Sequence, residues 1–243
     1  MDNKTILITG AAKRIGAAIA RGLHDAEVNI IIHYNTSSDA AKELAEELNG
    51  KRPDSACTIC ADLLDINSHD ALISQAFSFK ERLDVLINNA SVFYETPIED
   101  ISETQWDAMM GINLKAPMLL AKHAAPYLAK NNGCIINLAD IYAEYPLKNY
   151  PIYSISKAGL VMLTKSLAKE FGPEIRVNAI SPGAILWPET MSNDTKEAIL
   201  ERTVLKHQGD VEDIVNAIKY LIKNAGYITG QVLTIDGGRT LFS

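Results

Sequence analysis

The sequence predicts an α/β fold: one domain with a doubly wound parallel β-sheet of about seven strands and helices on both faces. Three observations predict it. Seven short apolar runs recur along the chain, at 5–9, 28–34, 57–61, 84–88, 134–139, 175–180 and 232–236. Most are continuous rather than alternating in polarity, as strands buried on both faces should be. The longer segments between them carry helix-period apolar patterns, and strand–helix alternation of this kind builds a parallel sheet between helical layers. No linker, repeat or low-complexity stretch divides the 243 residues, so a single domain over 1–243 is the simplest account. A domain of that size buries about three-quarters of the surface of its unfolded chain and needs no staple.

The first run leads into TGAAKRIGAAIARGL. This reads as a Rossmann-type turn: Gly10 gives the tight bend, Gly16 lets the following helix pack closely, and exposed helix N–H groups face a pyrophosphate. A purely structural strand–helix turn has the same outline. The second run ends in HYNTSS, with no acid before Asp39 to hold a ribose 2′-hydroxyl, while Lys13 and Arg14 stand in the first turn. Cations and hydroxyl donors without a facing carboxylate suit a 2′-phosphate, so NADPH is favoured over NADH. Next, SSDAAKELAEELNG places Ala41, Leu44, Ala45 and Leu48 on one helix face, with Ser37 or Ser38 to cap the start and Gly50 to close the end.

Cys57 and Cys60 form a C-x-x-C in the third run. On a strand that separation points the two thiols to opposite faces, and no second pair completes a zinc site. With Cys134 they read as core thiols, and no metal is expected. Asp62 ends the third run and is placed to accept from an adenine amino group. At the end of the fourth run, the small residues of NNAS let the backbone approach the adenine ribose, although Asn89 and Ala90 also suit a plain turn.

After the fifth run comes Asp140, a carboxylate where a buried strand should end. That is costly unless the acid is paired or hydrated. Beyond the sixth run, Pro182 fixes φ and Gly183 relieves crowding. The stretch from about 185 to 208 looks like a helical insertion with Pro188 at its entrance. Ligands in such folds sit outside the C-terminal strand ends, so this insertion is a candidate lid.

Bulk properties exclude several classes. Hydrophobic residues make up 47% and charged residues 22%, which is ordinary for a globular protein. A net charge of −7 argues against a general nucleic-acid binder. No apolar run approaches the ~20 residues that span a bilayer. The start MDNKTILITG lacks the basic end and long apolar core of a signal peptide, so a cytoplasmic protein without a membrane partner is expected.

As a set, TGAAKRIG, NNAS, YSISK at 153–157 and SPG at 181–183 resemble the short-chain dehydrogenase/reductases, in order and over essentially the whole chain. Within that family the chain is most similar to the pteridine reductases. Arg14 stands where relatives carry the middle glycine, Phe93 follows the NNA turn, and Asp140 stands where most relatives carry a catalytic Ser, thirteen residues before Tyr153.

The resemblance implies an NADPH cofactor. At the first turn it would be held by Gly10, Lys13, Arg14, Ile15 and Gly16, and after the second strand by Tyr34, Asn35, Thr36 and Ser37. Asp62, Leu63, Asn89, Ala90 and Ser91 would follow, with Tyr153, Lys157, Pro182 and Gly183 at the nicotinamide. Tyr153 and Lys157 lie one helical turn apart, and an ammonium beside a phenol lowers the tyrosine pKa from ~10. Asn113 of GINLKAP matches the family asparagine that bends its helix and anchors a water. Asp140, Tyr153, Lys157 and Asn113 are thus the implied catalytic group.

A carboxylate at position 140 would repel a developing alkoxide and is poor for ketone reduction. A pterin is reduced across ring C=N bonds, and its nitrogen gains a proton as carbon gains hydride. Asp140 and Tyr153 bonded to each other can relay that proton. The implied substrate is therefore a dihydropterin or dihydrofolate. Phe93 would stack on it, Arg14 and Ser91 would bond its polar edge, and Trp187 of the insertion would line the pocket. Two departures stand out: Thr36 replaces an Arg that related reductases use for the 2′-phosphate, and Ile185 replaces a serine of the substrate loop. The alternatives are a carbonyl reductase acting on a 3-oxoacyl thioester, and an NADPH-binding protein without chemistry. Family members usually form tetramers through two long helices, for which 103–130 and 150–171 are the candidates.

Overall fold

The computed structural model describes residues 3–187 and 191–242. Seven strands form one parallel sheet in the order β3-β2-β1-β4-β5-β6-β7. They are β1 (Thr5–Ile8), β2 (Asn29–Tyr34), β3 (Ala56–Cys60), β4 (Val85–Asn88), β5 (Cys134–Leu138), β6 (Arg176–Pro182) and β7 (Val232–Ile235). All seven apolar runs are strands, with ends shifted by a residue or two. The helices between them are α1 (Arg14–His24), α2 (Ser38–Lys51), α3 (Ser68–Ser78), α4 (Glu103–Met110), α5 (Ala116–Ala129), α6 (Pro151–Phe171), α7 (Asn193–Glu201) and α8 (Val211–Lys223).

The period of two along each strand sends neighbouring side chains into different layers. Ile6, Ile8, Ile30, Ile32 and Ile136 face a core built with α1, α2 and α8. Leu7, Ile31, Leu86, Ile135 and Val177 face a second core built with α3, α5 and α6. Because β1 lies between β2 and β4, the loops after β1 and β4 diverge. That divergence opens the cleft in which such sheets bind their ligands.

Buried polar groups set the register of α6. Asn88 donates to Asn137 across β4 and β5 at 2.8 Å, and Asn137 donates to Thr164 of α6 at 2.9 Å. Between α4 and α5 the chain makes a π-helical turn over Gly111–Lys115, with Asn113 buried inside it. This turn interrupts the α-helical register at Asn113, where a bend was expected.

Three local expectations need correction. Gly50 does not end α2, which runs on to Lys51. Arg52 stops it by turning extended (φ −146°, ψ 111°), as the residue before a proline prefers. Ser37 is the N-cap of α2, but its side chain makes no capping bond. Cys60 is no core thiol: β3 is an edge strand, and its last residue is exposed. Cys57 is half-buried, and burial pushes its thiol up to about 12. Cys134 is buried, with its thiol raised by burial to about 11. Helix α7 lies inside the expected insertion, whereas Pro188 falls outside the described residues. No helix among the described residues is long and apolar enough to cross a membrane.

Candidate active site

A cleft of about 500 Å³ opens over the first turn of α1, lined by Gly10, Lys13, Arg14, Ile15 and Gly16. Asn35, Asp62, Leu63, Asn89, Ala90 and Ser91 complete most of its wall. Gly10 has φ +61°, and a Cβ there would stand 2.9 Å from Ala90 Cα. A Cβ on Gly16 would stand 2.5 Å from the Gly10 carbonyl oxygen. No larger residue fits either place. Arg14 has φ +54°, a left-handed conformation that a non-glycine residue adopts at a cost of order 1–3 kcal/mol. It occupies the position where a glycine was expected in relatives, so the backbone keeps the glycine shape while gaining a cation.

The turn is held by Asn89 and by two groups the sequence did not single out, Thr9 and His33. The Asn89 amide donates to the carbonyls of Thr9 and Gly10 at 2.9 and 3.0 Å. Thr9 Oγ1 accepts from the backbone N–H groups of Asn89 and Ala90, both at 3.0 Å. Asn89 is therefore a clamp as well as a wall. His33 Nδ1 lies 3.1 Å from the Gly10 N–H and accepts from it, which leaves Nε2 to donate to the Ala61 carbonyl at 3.1 Å. Those partners fix one neutral tautomer. A histidine interrupting IIIHY one residue before the strand's end was the available signal.

Burial lowers the His33 pKa to about 4. In the unfolded chain the imidazole titrates near ~6.5. As pH falls from ~6.5 towards 4, the unfolded state gains a proton that the folded state refuses, and up to about 3 kcal/mol of stability is lost. Unfolding free energies of the wild type and His33→Gln, measured by urea titration between pH 7 and 4, should converge as pH falls. Parallel curves would contradict this role.

The first turn of an α-helix leaves N–H groups without intrahelical acceptors, and here they border the cleft. A glycine cradle, free helix N–H groups and exposed Lys13 and Arg14 fit the pyrophosphate of a dinucleotide. Asp62 Oδ1 accepts from Leu64 N–H at 2.9 Å, which fixes its carboxylate at the cleft edge. Tyr34, Thr36 and Ser37 are not brought to the lining of this cleft. Tyr34 packs on the core beside α1, and Thr36 is exposed beyond the end of β2.

A second cavity of about 270 Å³ adjoins the first and gathers the implied chemical groups: Arg14, Ser91, Phe93, Asp140, Tyr153, Lys157, Pro182, Gly183 and Trp187. Tyr153 is seated by Met109 of α4 and Ile152, a small apolar cluster of its own. Its hydroxyl donates to Asp140 Oδ2 at 2.8 Å. Asp140 Oδ1 accepts from the Tyr142 N–H at 3.0 Å. Lys157 Nζ donates to the Leu138 carbonyl at 2.8 Å and lies 5.6 Å from the centre of the Tyr153 ring.

The acid after β5 is thus paired. Burial raises the Asp140 pKa, opposed by its bonds from Tyr142 and Tyr153 and by the Lys157 and Arg239 charges. Burial, aided by the Asp140 charge, raises the Tyr153 pKa well above 10. The expected lowering of the tyrosine pKa by Lys157 is therefore overturned: Asp140 stands closer and favours the protonated phenol. Burial lowers the Lys157 pKa to about 8.

The Asn113 side chain is spent on the protein itself. Its Oδ1 accepts from Ser91 Oγ and Val92 N–H at 3.1 and 2.9 Å. Its Nδ2 donates to Val92 O and Ser156 Oγ at 3.0 and 3.1 Å. These four bonds use the whole capacity of the side chain, so a water at this position would be held by the main chain. It ties the loop after β4 to α6 and is a positioning residue.

Phe93 is 46% exposed, which rules out plain core packing. It stacks on Tyr150 at 4.6 Å and meets Tyr153 edge-on at 4.7 Å. Gly183 is required by its neighbour: a Cβ there would stand 2.7 Å from Asp236 Cα. Ile185, Leu186, Trp187, Met191 and Ile199, from the described parts of the 185–208 segment, line the cavity. Arg239 also lines it and was missed. The signal was the glycine pair before it, which takes φ +62° and +79° just past the last strand.

The family model described as enoyl-(acyl carrier protein) reductase matches residues 10–240. The chain is 34% identical to 3-oxoacyl-(acyl-carrier-protein) reductase FabG of Staphylococcus aureus, covering 97% of each. It is 32% identical to pteridine reductase 1 of Leishmania tarentolae, covering 97% of this chain and 96% of that one. A solved structure from Sinorhizobium meliloti 1021, provisionally described as a short-chain alcohol dehydrogenase, superposes with a TM-score of 0.93 at 29% identity, covering 99% and 98% of the two chains. With the glycine-rich turn, the parallel sheet and the tyrosine–lysine pair in place, the chain belongs to the short-chain dehydrogenase/reductases, a family of oxidoreductases.

Proposed function

We propose that this protein is an NADPH-dependent pteridine reductase, converting a dihydropterin or dihydrofolate to the tetrahydro form. The observation that carries the reading is the 2.8 Å bond from Tyr153 to Asp140 inside the cleft. Overall similarity does not choose the substrate, since the FabG and pteridine reductase relatives stand at 34% and 32% identity. Residue chemistry supports the pterin.

The cofactor, when bound, supplies hydride to a ring carbon. The protein's part is the proton. Asp140 has a raised pKa and holds the Tyr153 hydroxyl, so the pair can deliver a proton to the adjacent ring nitrogen and be recharged from water. Lys157 keeps one N–H on Leu138 and has two left for ribose hydroxyls. Phe93 offers a ring face to a flat heterocycle, and Arg14 and Ser91 stand where its polar edge would lie. Lys13, Arg14 and Asn35, with no acid before Asp39, support a 2′-phosphate and hence NADPH. The 185–208 segment would act as the lid.

Exposed Trp106, Met118 and Met162 on α4, α5 and α6 support a homotetramer assembled through these helices. We place it in the cytoplasm. The runner-up is reduction of a 3-oxoacyl thioester, favoured by the FabG relatives. Purified protein assayed for NADPH oxidation should turn over dihydrobiopterin well and simple ketones poorly. Robust ketone turnover with no pterin turnover would refute the proposal. Tight NADPH binding without any turnover would point to a non-catalytic role.

A further inference from the structure

A third cavity, of about 250 Å³, lies against the catalytic one. The two share Ile141, Tyr142 and Arg239 in their walls. Among the described residues, Arg202 and Arg239 line this side cavity and no Asp or Glu does. Arg239 acts on Asp140 from the catalytic side, and with Arg202 it leaves this space with positive charge that a bound anion would neutralise.

Arg239 is held in place from behind. Asp236 accepts from the N–H groups of Gly238 and Thr240, both at 2.8 Å. These bonds pin the turn that carries Arg239. The Arg239 guanidinium lies beside Tyr142, yet its Nη1 is buried with no hydrogen-bond partner. A ligand oxygen in the side cavity would bond the guanidinium N–H groups other than this enclosed one.

We propose that Arg239, with Arg202, forms an anion subsite beside the catalytic cavity that takes the carboxylate or phosphate ending the substrate's side chain. The subsite rests on the catalytic cavity being the place where substrate is reduced. It makes Arg239 a specificity residue: the cavity around Asp140 and Tyr153 reads the reacting ring, and the side cavity reads the charge trailing from it.

The test uses the NADPH-loaded protein and two kinds of readout. Calorimetric titration with p-aminobenzoylglutamate, and separately with phenyl phosphate, should show binding that weakens with salt and falls tenfold or more in Arg239→Gln. Whichever probe binds more tightly identifies the carboxylate or the phosphate ester as the natural group. In turnover, Arg239→Gln should raise KM for dihydrofolate at least tenfold more than KM for 6-methyl-dihydropterin, which carries no anion. Arg239→Lys should recover part of that difference. Should Arg239→Gln fail to fold, Arg202→Gln, at an exposed position, should weaken the same probe about threefold. Wild-type protein that binds neither probe would overturn the proposal. So would an Arg239→Gln variant that shifts the pH profile of both substrates equally, because the arginine would then act only on Asp140. Loss of probe binding in a protein that reduces no pterin would support the subsite while sinking the pterin reading.

Discussion

Asp140→Ser is expected to cut turnover of a dihydropterin by about 10²-fold or more, while keeping or raising turnover of a ketone. The two effects come from one exchange. The carboxylate accepts the Tyr153 hydroxyl at 2.8 Å and, being pushed up by burial, holds a proton at higher pH than an ordinary acid. A serine hydroxyl cannot store that proton. It can, however, donate to a carbonyl oxygen, and it removes a negative charge from the place where an alkoxide would form. Steady-state NADPH oxidation with dihydrobiopterin and with a 3-oxoacyl thioester measures both arms. A variant that loses both activities equally would mean that the substitution had damaged the cavity rather than exchanged its chemistry.

Tyr153→Phe is expected to lower kcat on a dihydropterin by about 10³-fold, with NADPH affinity changed by no more than about twofold. The ring would keep its packing on Met109, Ile152 and Phe93, so the loss isolates the hydroxyl. Removing it leaves the Asp140 carboxyl without its relay partner and Lys157 still bonded to Leu138. The pH profile of the wild type should carry two falling limbs. The first follows Asp140, which loses its proton above the ordinary carboxylate range. The second lies near 8, where Lys157 becomes neutral and its hold on the ribose weakens. In Tyr153→Phe the second limb should persist in KM for NADPH. Its disappearance would show that Lys157 works through the phenol alone.

The sheet was legible because burial on both faces writes itself as continuous apolar runs, and the β1–α1 turn because Gly10 and Gly16 leave no room for a side chain. That Asp140, Tyr153, Lys157 and Phe93 line one cavity was expected from the family resemblance, since their spacing alone does not imply contact. Electrostatics was not. A spacing places Lys157 on the same face as Tyr153, but it cannot say that Asp140 stands closer and that burial outweighs the ammonium. Long-range clamps were equally invisible: His33 reaches Gly10 from the next strand, and Asn113 spends its amide on Val92 and Ser156. Arg239 joins the site only because the chain end folds back from the sheet's far edge over the cavity. The misread end of α2 has a local cause, since Pro53 acts one residue ahead of itself on Arg52.

The most direct measurement is a crystal structure with NADP and a dihydropterin bound. The reducible ring nitrogen should lie within ~3 Å of the Tyr153 hydroxyl or an Asp140 oxygen, with those two groups still bonded to each other. A pterin bound with its ring nitrogen remote from both, and Asp140 turned to solvent, would contradict the assignment of this acid as the source of the proton.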